Sequence, residues 1–392
     1  MSRTATDLGV GFTRDERARA SFASGLRRHV MDTLADALRR DYQTHVAPRL
    51  AEPTPEGVHR AMRERDVFRF YSSLRVTSQD LLYHVVRPPV ERAREDLIEQ
   101  AEALARSNVG GSLRLIDDFE VPRSVSAVDV HLMPGSYTAE YGQDDLTMGA
   151  IYEQRLAIST FGLFGPQLDD IGQSFARFVK RRFPQFDPRR ILDLGCTTGL
   201  NTAAWKSVFP QAEVQGIDVS APCLRFAAAR TRSRGQSVHF VQMNAERLDL
   251  PEASVDVVFS SMFLHEVPRA GLSRVFAEAH RVLRPGGLML HMELPPASAL
   301  SPYDSFYLDW DGHYNNEPFY RAFRALDPAQ LVAEAGFGRS AFFDTVVPSW
   351  SALGEAAWQD ALTDGAPSSV SSRTGRLATG VQWYGFGAWK RS

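Results

Sequence analysis

The stretch ILDLGCTTGLNTAAW, residues Ile191 to Trp205, decides how this chain is read. An apolar run ends in Asp193 and passes through a loop carrying Gly195 and Gly199 into a segment with helical spacing. A polar turn, DPRR, stands before it, and a second apolar run, VQGIDVS, follows. Strand, glycine loop, helix and strand in that order outline a nucleotide-type site at the carboxyl edge of a parallel sheet. The dinucleotide form of the loop needs a second glycine so that backbone can approach a pyrophosphate, yet here Cys196 and Thr197 follow Gly195. A carboxylate at Asp193 also repels phosphate. A nicotinamide dinucleotide is therefore disfavoured, and a cofactor with an ammonium and no phosphates suits the loop better.

Working outward, the chain from about Leu146 alternates helices with short β-branched strands: RRILDLG, EVQGIDV, VHFVQMN, VDVVFSSM and, after the turn RPGG, LMLHMEL. That alternation predicts right-handed crossovers and a mostly parallel sheet covered on both faces. Two extended segments, SAFFDTVV and VQWYGFGAW, close the chain, with a loop around Ala366 to Thr379 between them. Upstream the texture is helical. Phe22, Leu26, Val30, Leu34, Leu38 and Tyr42 mark one stripe of a long helix, and a second helix is expected from Pro55 to Leu74. A third, around Leu81, is expected to break at Pro88 and Pro89 and resume as far as Gly110 and Gly111, with SLRLIDDFEVP and SAVDVHLM extended beyond it. The reading is thus a mainly helical N-terminal domain, residues 1–140, ahead of an α/β domain, residues 141–392.

Composition limits the partners. With 44% hydrophobic and 23% charged residues and a net charge of -3, the chain buries a large core and presents no basic field for nucleic acid. The N-terminus lacks the apolar core of a signal peptide, and no stretch approaches the about 18 apolar residues that span a bilayer. Cys196 and Cys223 form no C-x-x-C pair, which fits a reducing cytoplasm better than a disulfide framework or a thiolate zinc site.

These residues resemble the class I S-adenosylmethionine-dependent methyltransferase family, over roughly residues 150–392 and most closely from Ile191 to Pro295. The first family motif is matched by Asp193, Gly195, Thr197 and Gly199, with its middle glycine replaced by threonine. Asp218, followed by Val219 in GIDVS, matches the acid that takes both ribose hydroxyls, a task that suits a carboxylate with several acceptor sites. Asn244 and Ala245 stand where the family contacts adenine. The segment SSMFLHEVP, beginning with Ser260, stands where it faces the sulfonium, and RVLRPGG leads into the fifth strand.

The resemblance implies a Rossmann-like, doubly wound, mostly parallel seven-stranded sheet and S-adenosylmethionine as cofactor. It further implies methylation of oxygen or carbon on a small, partly apolar metabolite, as in specialised natural-product biosynthesis. A cofactor-binding protein of the same fold with an assembly or non-methylating role is the competing reading.

His265 is the candidate general base, placed just after the fourth strand with an ordinary pKa of about 6.5. The HE pair is similar to the HD element of small-molecule O-methyltransferases with helical N-terminal domains, which gives Glu266 the orienting role. A packing or adenosyl-contact histidine is the alternative. The aromatic segment Ser301 to Phe323 is read as a substrate wall, with Tyr303, Trp310, His313, Tyr314 and Asn315 as its contacts. Asp309, Asp311 and His313 are read as a solvated loop and not a metal site. Among Tyr71, Arg75, Tyr83, His131, Tyr137 and Tyr141, one or two are expected to reach the substrate and the others to be core or interface residues. By analogy with those O-methyltransferases, the N-terminal stripe suggests a homodimer.

Overall fold

The computed structural model describes residues 8–363, 376–377 and 380–391. Its strands are β1 (Gly111–Arg114), β2 (Arg190–Leu194), β3 (Glu213–Asp218), β4 (Val238–Gln242), β5 (Val255–Ser261), β6 (Leu283–Met292), β7 (Phe342–Pro348), β8 (Arg376–Leu377) and β9 (Gly380–Trp389). They follow the order β1-β4-β3-β2-β5-β6-β9-β7, with β8 pairing only to β9. Strands β1 to β6 pair in parallel, whereas β9 runs antiparallel to both β6 and β7. The chain leaves β2 toward β3 and β4, then returns to place β5 on the other side of β2. That reversal opens a crevice at the carboxyl ends of β2 and β5, where ligands of open α/β sheets bind.

The sheet is larger than the seven strands expected. GSLR forms β1 and adds a parallel edge beside β4, pairing Gly111 with Val238, while β8 contributes a short extra ladder. Both faces of the inner strands are covered, because crossover helices pack against each. Val275 and Phe276 of the helix Arg269–Val282 join Leu192, Val258 and Met289 on one face. Phe175 and Val179 of the helix Asp170–Arg182 join Ile191, Val257 and Leu290 on the other. The loop expected at Ala366 to Thr379 lies, apart from Arg376 and Leu377, outside the described residues.

The N-terminal helices depart from the sequence reading in instructive ways. The four-residue stripe does run along one continuous helical path from Arg14 to Arg49, but two π-helical turns, Val30–Leu34 and Tyr42–Val46, interrupt the α-helix. A strict four-residue repeat drifts by roughly 40° per step around an ideal α-helix. Wider π-turns absorb that drift, so Leu26, Val30, Leu34, Leu38 and Tyr42 pack into one cluster while Phe22 stays exposed. The expected Pro55–Leu74 helix is two helices, Pro55–Arg63 and Asp66–Arg92. The second continues through Pro88 and Pro89, and the chain bends at Ala93 (φ -89°, ψ 2°) before the helix Arg94–Ala105. SAVDVHLM is not extended: it holds the end of a helical turn, Arg123–Ser126, and a 3-10 turn, Val130–Leu132.

The stripe is covered within the chain. Val30, Leu38, Val58, Met62 and Phe68 pack against Tyr303, Phe306 and Trp310 of the helix Pro302–Tyr314, which follows β6. The apolar face that suggests a dimer is thus occupied, within one chain, by the helix Pro302–Tyr314. No helix among the described residues is long and apolar enough to cross a membrane.

Candidate active site

The glycine loop turns directly out of β2. Gly195 (φ 66°) and Gly199 (φ 68°) are both left-handed, and a Cβ on Gly195 would lie 2.3 Å from the Phe263 ring. One on Gly199 would lie 2.7 Å from the ring of Phe240. Thr197, at the place of the missing glycine, is left-handed too, with φ 47°. A β-branched residue holds that conformation at a cost of about 1–2 kcal/mol. Part of the compensation is visible: Thr197 N donates to Asp218 Oδ2 at 2.9 Å. Glycine here would relieve the strain and lose about 0.5–1 kcal/mol of chain entropy. Thr197→Gly is thus expected to stabilise the fold by about 0.5 kcal/mol or more, read as a higher urea midpoint at unchanged slope. A lower midpoint would mean that the threonine side chain contributes more than its backbone costs.

Asp218 closes β3 and faces the crevice. Its two oxygens accept from Thr197 N and Ser220 N, each at 2.9 Å, which fixes the carboxylate and leaves further acceptor capacity toward the cavity. Burial pushes its pKa up to about 6, against the pull of those backbone donors. Val219, Asn244 and Ala245 line the same region. Asn244 Oδ1 accepts from Glu246 N at 2.9 Å, so its carbonyl also forms a turn after β4.

Around the loop lies a cavity of about 430 Å³, walled by strand ends below and by the N-terminal helices and Pro302–Tyr314 above. His265, 2% exposed, sits in a 3-10 turn after β5 on its wall. Its Nδ1 is 2.7 Å from Glu293 Oε2, while Glu293 Oε1 accepts from Phe263 N (2.9 Å) and Leu264 N (2.6 Å). Glu293 thus locks the turn and the ring together, with Nε2 on the other side of the ring, 3.8 Å from Glu317 Oε2. Burial alone would lower the pKa of His265, but the Glu293, Glu317 and Glu266 carboxylates outweigh it and raise it to about 9. A parallel set stands beside it. His131 lies 3.5 Å from Glu266 and 3.2 Å from Glu317, and Tyr137 donates to Glu266 at 2.8 Å. Burial lowers the pKa of His131, and these acids raise it to about 9.

Residues 191–287 match the family model described as a methyltransferase domain. Over these residues the chain carries a methyltransferase domain. It is 32% identical over 163 residues to a malonyl-[acyl-carrier protein] O-methyltransferase of Hahella chejuensis, covering 40% of this chain and 55% of that one. It is 35% identical over 109 residues to a demethylmenaquinone methyltransferase of Thermus thermophilus, covering 28% and 49%. The chain therefore spans about half the length of the curated relatives it matches. A solved phosphoethanolamine N-methyltransferase of Haemonchus contortus, in complex with S-adenosyl-L-methionine, aligns with a TM-score of 0.39 at 18% identity, over 59% of this chain and 55% of that one.

Within this methyltransferase domain the structure redistributes several expected roles. Asp193 does not line the cavity: it is 2% exposed and accepts from Thr202 Oγ1 at 2.6 Å, tying β2 to the next helix. Gly199 likewise starts that helix and does not line the cavity. Ser260 points the other way along β5, 2.7 Å from His291 Nδ1, and its neighbour Ser261 takes the cavity side, as strand alternation requires. Glu293, and not Glu266, orients His265; Glu266 serves His131 and Tyr137.

Of the five substrate candidates in Pro302–Tyr314 and just after it, only Asn315 lines the methyltransferase cavity. Tyr303 and Trp310 are core residues, and His313 and Tyr314 are exposed. The segment is a helix, so the phase through Tyr307, Asp311 and Asn315 faces the cavity and the Tyr303, Phe306 and Trp310 phase faces the N-terminal helices. Asp309 pairs with Arg324 and Asp311 with Arg75, which uses the acids once considered beside His313. From the N-terminal residues, Arg75, His131 and Tyr137 reach the cavity, whereas Tyr71 and Tyr83 are buried in core clusters and Tyr141 is exposed.

Proposed function

We propose that this chain is an S-adenosylmethionine-dependent methyltransferase that methylates oxygen or carbon of a small, partly apolar molecule. Its proton acceptor is His265. The observation that carries this reading is the buried His265–Glu293 pair on the wall of a cavity whose lining also holds Asp218. An oriented imidazole with one nitrogen committed and one facing the cavity is what removal of a proton from a nucleophile requires.

The cavity residues fit the cofactor chemically. Asp218 would accept from ribose hydroxyls, and Val219, Asn244 and Ala245 would flank the adenine. Glu266, Glu293 and Glu317 stand on the neighbouring wall with His131, His265 and Tyr137 as their partners. When bound, S-adenosylmethionine supplies an electrophilic methyl group on a sulfonium. The protein's share is then to align the acceptor, exclude water under the helical roof and hold the proton at His265 Nε2.

The test is calorimetric titration of the wild-type chain with S-adenosylmethionine and S-adenosylhomocysteine. Stoichiometric binding of both is expected, with a negative heat-capacity change from closure of apolar surface. Absence of binding by either would end the reading and leave a methyltransferase fold used for another purpose.

A further inference from the structure

The roof of the cavity holds a second charged cluster that proton removal does not use. Arg27, Arg75 and Arg155 all line it, from the helices Arg14–His29, Asp66–Arg92 and Thr147–Ser159. Arg75 is satisfied: its Nε lies 2.7 Å from Asp311 Oδ1, its Nη2 donates to Asp311 Oδ2 at 3.1 Å, and its Nη1 to Gln79 at 3.3 Å. The other two are not. Arg155 is only 6% exposed; its Nη2 donates to His131 O at 2.9 Å and its Nη1 reaches no better acceptor than the Met133 sulfur at 3.5 Å. Its Nε is buried without a partner, as are Nε and Nη1 of Arg27.

Arg27 and Arg75 thus share one carboxylate, Asp311, which lies within electrostatic reach of both. Of the other carboxylates on the wall, Glu266, Glu293 and Glu317 are matched to His131, His265 and Tyr137, Glu246 to Arg274, and Asp218 to the Thr197 and Ser220 amides. Burial and the neighbouring Arg75 pull the pKa of Arg27 down to about 9, against the pull of Asp311. Burial likewise pulls Arg155 down to about 10. Arg27 and Arg155 line the cavity and, among the described residues, neither forms an ion pair with a carboxylate, and a guanidinium matches the planar, two-oxygen geometry of a carboxylate. Leu156, Leu163 and Phe164 offer an apolar wall for the rest of such a molecule.

We propose that Arg27 and Arg155 form the subsite for a carboxylate on the methyl acceptor, so that the acceptor is a small organic acid with an apolar body. This rests on the methyltransferase reading above. The same chemistry exists on the amino acid end of the methyl donor, and the test separates the two sources. Benzoate and its neutral isostere benzamide are titrated into protein saturated with S-adenosylhomocysteine, for the wild type and for Arg27→Gln and Arg155→Gln.

The expected result is a preference of about tenfold or more for benzoate in the wild type. Each variant should lose it while keeping its S-adenosylhomocysteine affinity within about twofold. Arg27 is partly exposed, so Arg27→Gln carries the test even if Arg155→Gln fails to fold. Equal affinity for benzoate and benzamide in the wild type overturns the subsite. Loss of S-adenosylhomocysteine affinity in Arg27→Gln also overturns it, by assigning the arginines to the donor's own carboxylate. A wild type that binds no S-adenosylhomocysteine sinks the methyltransferase reading, whereas one that binds it and ignores the charge difference sinks this subsite alone.

Discussion

His265→Ala is expected to lower turnover by about 100-fold while S-adenosylhomocysteine affinity stays within about twofold of the wild type, because a positioned general base contributes on that scale and no more. The pH profile separates this role from packing. With the pKa of His265 raised to about 9 by Glu293, Glu317 and Glu266 in spite of burial, the imidazolium is the favoured form near neutrality. Only the neutral ring accepts a proton. kcat/KM, which reports the free protein, should therefore climb about tenfold per pH unit and level off near pH 9. A cationic ligand in the same cavity disfavours the imidazolium, so the rise in kcat should lie at lower pH than the rise in kcat/KM. Glu293→Gln removes the carboxylate 2.7 Å from Nδ1 and should move both rises toward acid. In His265→Ala the slope itself should vanish. Unchanged turnover, or an unchanged slope, would make His265 a buried packing residue against Tyr320, whose ring centroid is 5.3 Å away.

The parts of this site that were legible in the sequence are those set by local pattern. Alternating helices and apolar strands placed β2 to β6, and the ends of β3 and β5 placed Asp218 and His265 on the crevice wall. Contacts between distant segments were not legible. Glu293 stands 28 residues after His265, and its only trace is an acid at the end of the apolar run LMLHMEL. An acid there signals a buried carboxylate with dedicated donors, which is what Phe263 N and Leu264 N supply. The aromatic segment after β6 reads as a wall from its composition, and composition carries no helical phase. Once Pro302–Tyr314 is a helix, residues four apart share a face, and Tyr307 with Asp311 replaces Tyr303 with Trp310. The π-turns show the converse. A perfect four-residue repeat already hinted that the path was wider than an ideal α-helix, and the buried stripe is the result.

Asp218→Ala should weaken S-adenosylhomocysteine binding by about 100-fold, the loss expected when two hydrogen bonds to a charged acceptor disappear from a buried site. The carboxylate also holds the glycine loop. Removing it leaves Thr197 N without its 2.9 Å acceptor at a backbone position already strained at φ 47°. Part of the loss could then come from loop disorder, and two controls divide the effects. Asp218→Asn keeps the shape and one oxygen, so it should recover the loop and only part of the affinity. Thr197→Gly in the Asp218→Ala background removes the strain without restoring the acceptor, so it should recover stability and little affinity. The wild type supplies a third measure through pH. Burial raises the Asp218 pKa to about 6, against the pull of Ser220 N and Thr197 N. Protonation below that value turns an acceptor into a donor, and binding should weaken as pH falls from about 7 to 5. The alanine variant should show no such dependence. If it binds as tightly as the wild type at every pH, Asp218 is a turn residue, and the ribose must find its partners elsewhere on the cavity wall.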